Sequence, residues 1–262
     1  MENMVFYDFS RNEVIDLGIN TQIYPGCYFD RAGNVTLTRE RNCQNNEWYI
    51  QQKINDNSDG YFDFTKNMID VGAYIGIYRW NLPFNKAWLF EPNRESYMYC
   101  CANAVLHNLV DNTFIYNEIL SNRHETIEFN GYEGVRDDMG GAKGMNGMFA
   151  YLNDNTTMIS KTLDDFLPVF DNIGFIKVDC EGMDWKVIEG GRKTIELFGY
   201  PPILFENWPP RDDPQYPGWL NESEIGEKER NINIRRVLKD MGYEILWGWG
   251  NIETHLAIHK DQ

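Results

Sequence analysis

Two acidic side chains stand where apolar runs end. Asp179 follows Gly174-Phe175-Ile176-Lys177-Val178, and Glu206-Asn207 closes Pro202-Ile203-Leu204-Phe205. If both runs are parallel strands of an open sheet, their carboxyl ends line one crevice, which is where such sheets bind ligands. Carboxylates there can take a proton from a hydroxyl or offer oxygen ligands to a hard cation such as Mg²⁺. Asp179 is the first candidate for a general base, with Glu181 orienting it. Glu181, Asp184 and His255 are the further candidates, and His255 reads equally well as a packed histidine. Lys177 ranks lower, because strand alternation is expected to turn it away. Asp179, Glu206 and Asn207 are the candidate metal ligands. The plainer alternative is that Asp179 and Glu181 bind substrate hydroxyls and cap a helix from Gly182.

A second constellation lies earlier in the chain. Met68-Ile69-Asp70-Val71 runs into Gly72-Ala73-Tyr74-Ile75-Gly76, a strand followed by a glycine-rich turn. Glycines at such a turn let the backbone approach a ligand closely. The spacing is G-x-x-x-G rather than the G-x-G-x-x-G of dinucleotide sites, so close approach to a pyrophosphate lacks its pattern. Glu91 ends the next apolar run, Ala87-Trp88-Leu89-Phe90, about twenty residues on, where a carboxylate accepts hydrogen bonds from ribose hydroxyls. Alone, the glycines read as a structural turn and Glu91 as a solvated strand end. Together, on consecutive strands, they point to a nucleoside cofactor.

The elements that must carry these residues alternate. Strands are expected at 68–71, 87–90, 113–120, 174–179 and 202–206, with helices at 95–110, 184–198 and 224–241. Thr162-Leu163-Asp164-Asp165-Phe166 opens another helix, with Thr162 or Asp164 as its cap. Two last strand-like runs, Tyr243 to Trp247 and Thr254 to His259, are joined by a glycine-containing turn. This order predicts a three-layer α/β fold with right-handed crossovers. Residues 1–60 read as an N-terminal cap on the domain at 61–262, with a short strand at Val35–Thr38 and a helix at Glu47–Ile54. The polar, glycine-rich stretch 121–160 reads as a functional loop or an irregular hairpin.

Composition narrows the partners. A formal charge of −16 repels phosphate backbones and anionic lipid, so a nucleic-acid partner is not expected. No apolar run is long enough for a membrane span, and the N-terminus lacks the basic and apolar regions of a secretory signal. Five cysteines without zinc-ribbon spacing fit free thiols in a reducing, cytoplasmic compartment.

As a set and in this order, several segments resemble the FkbM-type methyltransferases. They are Ile69-Asp70-Val71-Gly72-Ala73, Phe90-Glu91-Pro92-Asn93, Thr162-Leu163-Asp164-Asp165-Phe166, Ile176-Lys177-Val178-Asp179-Cys180-Glu181-Gly182 and Val187-Ile188-Glu189-Gly190. The resemblance covers roughly residues 60–207. It implies a Rossmann-like class I methyltransferase fold: a mostly parallel seven-stranded sheet ending in an antiparallel hairpin. It further implies S-adenosylmethionine as methyl donor and a hydroxyl oxygen as acceptor. By the same resemblance Asp70, Gly72 and Gly76 lie along the methionine side of the cofactor, and Tyr74 is counted among the cofactor-binding positions. Glu91 meets the ribose with Asn93 nearby, and Glu118 and Ile119 flank adenine. Tyr74 departs from the asparagine common in that family.

The acid after the fourth strand and the Glu206-Asn207 pair after the fifth also resemble the Mg²⁺ site of catechol-type O-methyltransferases. The lysine of those enzymes is replaced here by Gly182. Trp208, Tyr216, Trp219, Trp247 and Trp249, with Asp212 and Asp213, suit the apolar faces and hydroxyls of a neutral sugar ring, although Trp247 reads better as hairpin packing. The expected partner is therefore a small-molecule or glycan acceptor, such as a deoxyhexose. A glycan-binding module without catalysis is the alternative from outside the enzymes.

Overall fold

The protein is described from a computed structural model. It covers residues 3–8, 13–20, 27–29, 35–37, 48–129, 156–180, 182–207, 224–251 and 253–261. The chain divides into two compact units, Met1–Glu118 and Ile119–Gln262.

In the first unit, β1 (Asn3–Asp8) pairs antiparallel with β2 (Glu13–Asn20). Next, β3 (Cys27–Phe29) pairs antiparallel with β4 (Val35–Leu37). Helix α1 (Trp48–Asp56) buries Ile50 and Ile54, four residues apart and hence on one face. Then come β5 (Asn67–Val71), α2 (Ile77–Asn81), β6 (Ala87–Phe90), α3 (Arg94–Leu106) and β7 (Thr113–Tyr116). The strands β5, β6 and β7 are parallel neighbours, with Asp70 opposite Leu89, Val71 opposite Phe90, and Phe90 opposite Tyr116. Every residue of β5 and β6 is buried, as expected for parallel strands covered on both faces. The third parallel strand stops at Tyr116, short of the expected Leu120. Arg79 of α2 holds the edges of this layer together. Its guanidinium donates to Thr113 Oγ1 at 3.0 Å and to the Phe84 carbonyl at 2.6 Å, and burial pulls its pKa down to about 10.

In the second unit, β8 (Thr126–Phe129) and β9 (Thr156–Ile159) pair antiparallel. The stretch 121–160 therefore contains a hairpin, while its glycine-rich centre at 139–148 lies outside the described residues. Leu163–Val169 is a 3₁₀ helix rather than an α-helix, opened by a capping box of Thr162 and Asp165. Next come β10 (Ile173–Val178), α4 (Asp184–Gly190), α5 (Arg192–Leu197) and β11 (Ile203–Glu206). Helix α6 (Glu224–Asp240) leads to β12 (Tyr243–Leu246) and β13 (Thr254–His259). The single helix expected at 184–198 is divided at Gly190–Gly191. Asp164 does cap a helix, but it is α5: its carboxylate accepts the Thr194 N–H at 2.8 Å and the Thr194 hydroxyl at 2.9 Å.

Strand β10 runs parallel to β11, while β13 lies antiparallel between β11 and β12. With β5, β6 and β7, these four complete a seven-stranded, mostly parallel sheet ending in an antiparallel hairpin. Among the described residues, no helix is long and apolar enough to cross a membrane.

Candidate active site

The glycine-rich turn of the first unit is built around Glu91. Its Oε2 accepts the Tyr74 N–H at 2.7 Å and its Oε1 accepts the Asn93 N–H at 2.8 Å. Gly72 and Ala73 donate their N–H groups to the Phe90 carbonyl, so the turn hangs from the end of β6. Asn117 Nδ2 donates to the Glu91 and Pro92 carbonyls at 2.9 Å each. Glu91 is thus 7% exposed, far from the solvated strand end that its position alone would suggest.

Three residues of the turn have left-handed backbones: Gly72 (φ 74°), Tyr74 (φ 53°) and Gly76 (φ 81°). Such a conformation costs a residue with a Cβ about 1–2 kcal/mol and is eased most by glycine or asparagine. That accounts for the asparagine common at the position of Tyr74. Asp70 lies fully buried in β5. A Cβ on Gly76 would lie 2.3 Å from the Trp80 ring, and the Trp80 indole N–H holds the Ile75 carbonyl at 2.7 Å. Gly76 is therefore required by packing against Trp80, a reason other than the expected contact with the cofactor. Asn93, expected near the ribose, caps α3 by accepting the Ser96 N–H at 3.0 Å. Asn103 and Asn117 were not singled out in the sequence, yet their amides hold the Ile75 carbonyl and the strand end after Glu91. Single asparagines, one buried inside the apolar helix α3 and one half-buried just past β7, carry no periodic signal that would have revealed them.

Glu118 ends the first unit and Ile119 begins the second, where Ile119 is buried and its carbonyl accepts the Lys161 N–H at 3.0 Å.

The acceptor candidates lie in the second unit. Asp179 follows β10, and Lys177, two residues back, reaches its Oδ2 with Nζ at 3.3 Å. The side chain of Lys177 is 6% exposed and that of Asp179 25%. This differs from the expectation that Lys177 is turned away: its ammonium lies beside the Asp179 carboxylate just past the end of β10.

Asp184, in the first turn of α4, accepts the Gly182 N–H at 3.2 Å on Oδ2, while Oδ1 is buried without a hydrogen-bond partner. Burial, and then the Asp179 charge, push its pKa up to about 8, so it is a neutral acid rather than a ready base at neutral pH. Glu181 lies outside the described residues. Glu253, in the turn before β13, was not anticipated. It is hydrogen-bonded to Glu206, and burial raises its pKa. Two carboxyls in one hydrogen bond share a proton.

His255 requires a correction. It is fully buried, its Nδ1 accepts the Gly248 N–H at 2.8 Å, and its Nε2 lies 2.8 Å from the Asn207 carbonyl. Those partners define a neutral imidazole with its proton on Nε2, and burial lowers its pKa to about 4. Neither nitrogen is left to take a substrate proton, so His255 ties the hairpin to the end of β11. Trp247 packs edge-on to His255 and Phe205 and lies beneath the Arg235 guanidinium, 3.9 Å from its centroid. Trp208, Tyr216, Trp219, Asp212 and Asp213 lie outside the described residues.

The donor set does not suit a divalent ion. The Asp179 carboxylate already has a cation beside it, and Glu206 is bonded to Glu253. Among the described residues, no group of three or more His, Cys, Asp or Glu side chains could hold a metal.

An acidic residue closing the second parallel strand and clamping a glycine-rich turn, within a sheet of this topology, defines the Rossmann-like α/β class to which methyltransferases belong. The model of the methyltransferase FkbM domain family matches residues 70–245, and the chain belongs to that family. The match takes in Asp70, Glu91, Asp179 and Glu206 and stops before His255.

Similar solved structures include the methyltransferase FkbM from Methylobacillus flagellatus KT, 17% identical with a TM-score of 0.43. That match covers 75% of this chain, which spans only 44% of the Methylobacillus protein. Another is precorrin-6y C5,15-methyltransferase from Geobacter metallireducens GS-15, at 10% identity and TM-score 0.47, covering 88% of this chain and 96% of that one. A third is a putative caffeoyl-CoA O-methyltransferase from Staphylococcus aureus, at 13% identity and TM-score 0.47, covering 81% and 82%. No curated protein matches the chain.

Proposed function

We propose that the protein transfers a methyl group from S-adenosylmethionine to a hydroxyl of a sugar or glycan, a deoxyhexose such as rhamnose being the first acceptor to try. The observation that carries the acceptor reading is the partly exposed Asp179 carboxylate at the end of β10, backed by the buried Lys177 ammonium. In the reaction the acceptor O–H bond breaks and its proton passes to Asp179. The oxygen lone pair forms the O–C bond to the methyl carbon. The C–S bond breaks with its electron pair staying on sulfur, which leaves neutral S-adenosylhomocysteine. Asp179 then releases the proton to water.

The nucleoside end of the methyl donor is assigned to the turn clamped by Glu91, where a carboxylate can accept ribose hydroxyls. The charge of −16 favours a neutral acceptor over a phosphorylated one. The buried free thiols Cys100, Cys101 and Cys180 suit a cytoplasmic setting.

The test is a screen with methyl-tritiated S-adenosylmethionine over methyl α-L-rhamnopyranoside, methyl glucosides, catechol and simple amines, each with EDTA or with Mg²⁺. Label in a sugar ether is the expected result. Transfer to catechol or an amine alone would overturn the sugar reading in favour of a non-sugar small molecule. Calorimetry showing no S-adenosylhomocysteine binding would instead favour a silent glycan-binding module.

A further inference from the structure

We infer that Lys177 is the resident cation of the acceptor site. Its ammonium does at Asp179 the charge-neutralising and orienting work that a divalent ion does in metal-dependent O-methyl transfer. The inference rests on the reading of Asp179 as the group that receives the acceptor proton.

The Lys177 Nζ stands 3.3 Å from Asp179 Oδ2, and the lysine side chain is almost wholly removed from solvent. A charge so enclosed needs an anionic or hydrogen-bonded partner that does not leave. β10 carries Lys177 at its penultimate position and ends at Val178, and the four-carbon stem brings the ammonium alongside the Asp179 carboxylate just past the strand end. A divalent cation placed on the same carboxylate would sit within a few ångströms of that ammonium, in surroundings that screen charge weakly. The ammonium therefore competes with a divalent cation for Oδ2.

Lys177 is thus a positioning residue. It holds Oδ2, leaving Oδ1 to receive the acceptor proton, and it balances the negative charge that grows on the acceptor oxygen as the O–H bond breaks. The nearby acids divide in a way that fits. Asp184 is a buried neutral acid, and Glu206 shares a hydrogen bond with Glu253, so Asp179 is the carboxylate with an ammonium beside it.

The first measurement needs no acceptor. Mn²⁺ binding is followed by electron paramagnetic resonance on the full chain, wild type and Asp179→Asn. The inference expects identical isotherms, because no Mn²⁺ site depends on Asp179. A site present in the wild type and lost in Asp179→Asn overturns it.

The second measurement uses methyl α-L-rhamnopyranoside, or whichever acceptor of the screen above is methylated. Lys177→Met is expected to lower kcat about a hundredfold, the low end of what a positioned proton acceptor contributes. KM for S-adenosylmethionine should stay within about threefold, and Lys177→Arg should recover much of the loss because it keeps the charge. Full turnover in Lys177→Met, with Asp179→Asn inactive, refutes the inference and spares the proposed function. Full turnover in Asp179→Asn removes the proposed role of Asp179 and the inference with it.

Discussion

The Tyr74 backbone N–H lies 2.7 Å from the Glu91 carboxylate, so the residue expected to meet the ribose also shapes the glycine-rich turn after β5. The second Glu91 oxygen holds the Asn93 N–H, which joins the turn after β5 to the start of α3.

Glu91→Gln should therefore weaken cofactor binding more than one lost ligand contact implies. The amide must point an N–H₂ group at either the Tyr74 or the Asn93 N–H, setting donor against donor. Hydrogen bonds to charged groups contribute about 1.5–3 kcal/mol each, so affinity for S-adenosylhomocysteine should fall at least about tenfold. Titration calorimetry checks this, and a change below about twofold would separate Glu91 from the cofactor.

Gly76→Ala combines two penalties. The residue is at φ 81°, and the new methyl would lie 2.3 Å from a Trp80 ring carbon. Left-handed strain and overpacking together predict a loss of about 2–4 kcal/mol. Measured against Trp80→Phe alone, adding Gly76→Ala should cost mainly the backbone penalty. Urea unfolding of Gly76→Ala in the two backgrounds separates the contributions, and equal losses in both would refute the role given to Trp80.

Gly190→Ala tests the Val187-Ile188-Glu189-Gly190 segment. A Cβ there would stand 2.3 Å from the Ser121 carbonyl oxygen, and backbone cannot swing aside as a side chain can. The expected cost is about 2–3 kcal/mol. Gly199 at φ 74° has nothing within 4 Å of such a Cβ, so Gly199→Ala should cost only about 1 kcal/mol of strain. A smaller thermal shift for Gly190→Ala than for Gly199→Ala would contradict this account.

Stability should respond to pH through Asp184 and His255 with opposite signs. The Asp184 pKa rises from 3.8 to about 8 on folding, so between those values the folded state binds the extra proton and stability falls as pH rises. The His255 pKa drops from 6.5 to about 4, so between about 4 and 6.5 the unfolded state binds the extra proton and stability grows with pH. These two contributions oppose each other up to about pH 6.5, and above it the Asp184 loss stands alone until about pH 8. Asp184→Asn keeps an oxygen for the Gly182 N–H and removes the titration. Its stability relative to wild type should rise with pH by up to about 1.4 kcal/mol per unit across that window. Denaturant melts at pH 5, 6.5 and 8 measure the difference, and parallel curves would show that Asp184 does not titrate as described.

The parallel strands were legible because each is a short apolar run bounded by turn residues, a local property. Ala87–Phe90 falls where its side chains predict it, and so does the antiparallel strand Thr254–His259. The β1–β2 hairpin was missed, since Met4-Val5-Phe6-Tyr7 does not alternate and the register shifts between Met4 and Val5. The Gly190-Gly191 step that divides α4 from α5 was also passed over, as glycine within a helical pattern is often tolerated.

What the residues alone determined is the alternating α/β order and the glycine turn with its acid on the following strand, to which the motifs added a resemblance to the family. These depend on spacing along the chain, and spacing is all that a sequence directly displays. What only the tertiary structure decided is how each site group is charged and occupied. The Asn207 carbonyl closes off His255 from 48 residues away, burial makes Asp184 a neutral acid, Glu253 joins Glu206, and the Lys177 ammonium reaches Asp179. Charge state follows from desolvation and from distances between atoms, and those quantities exist only once the chain has folded.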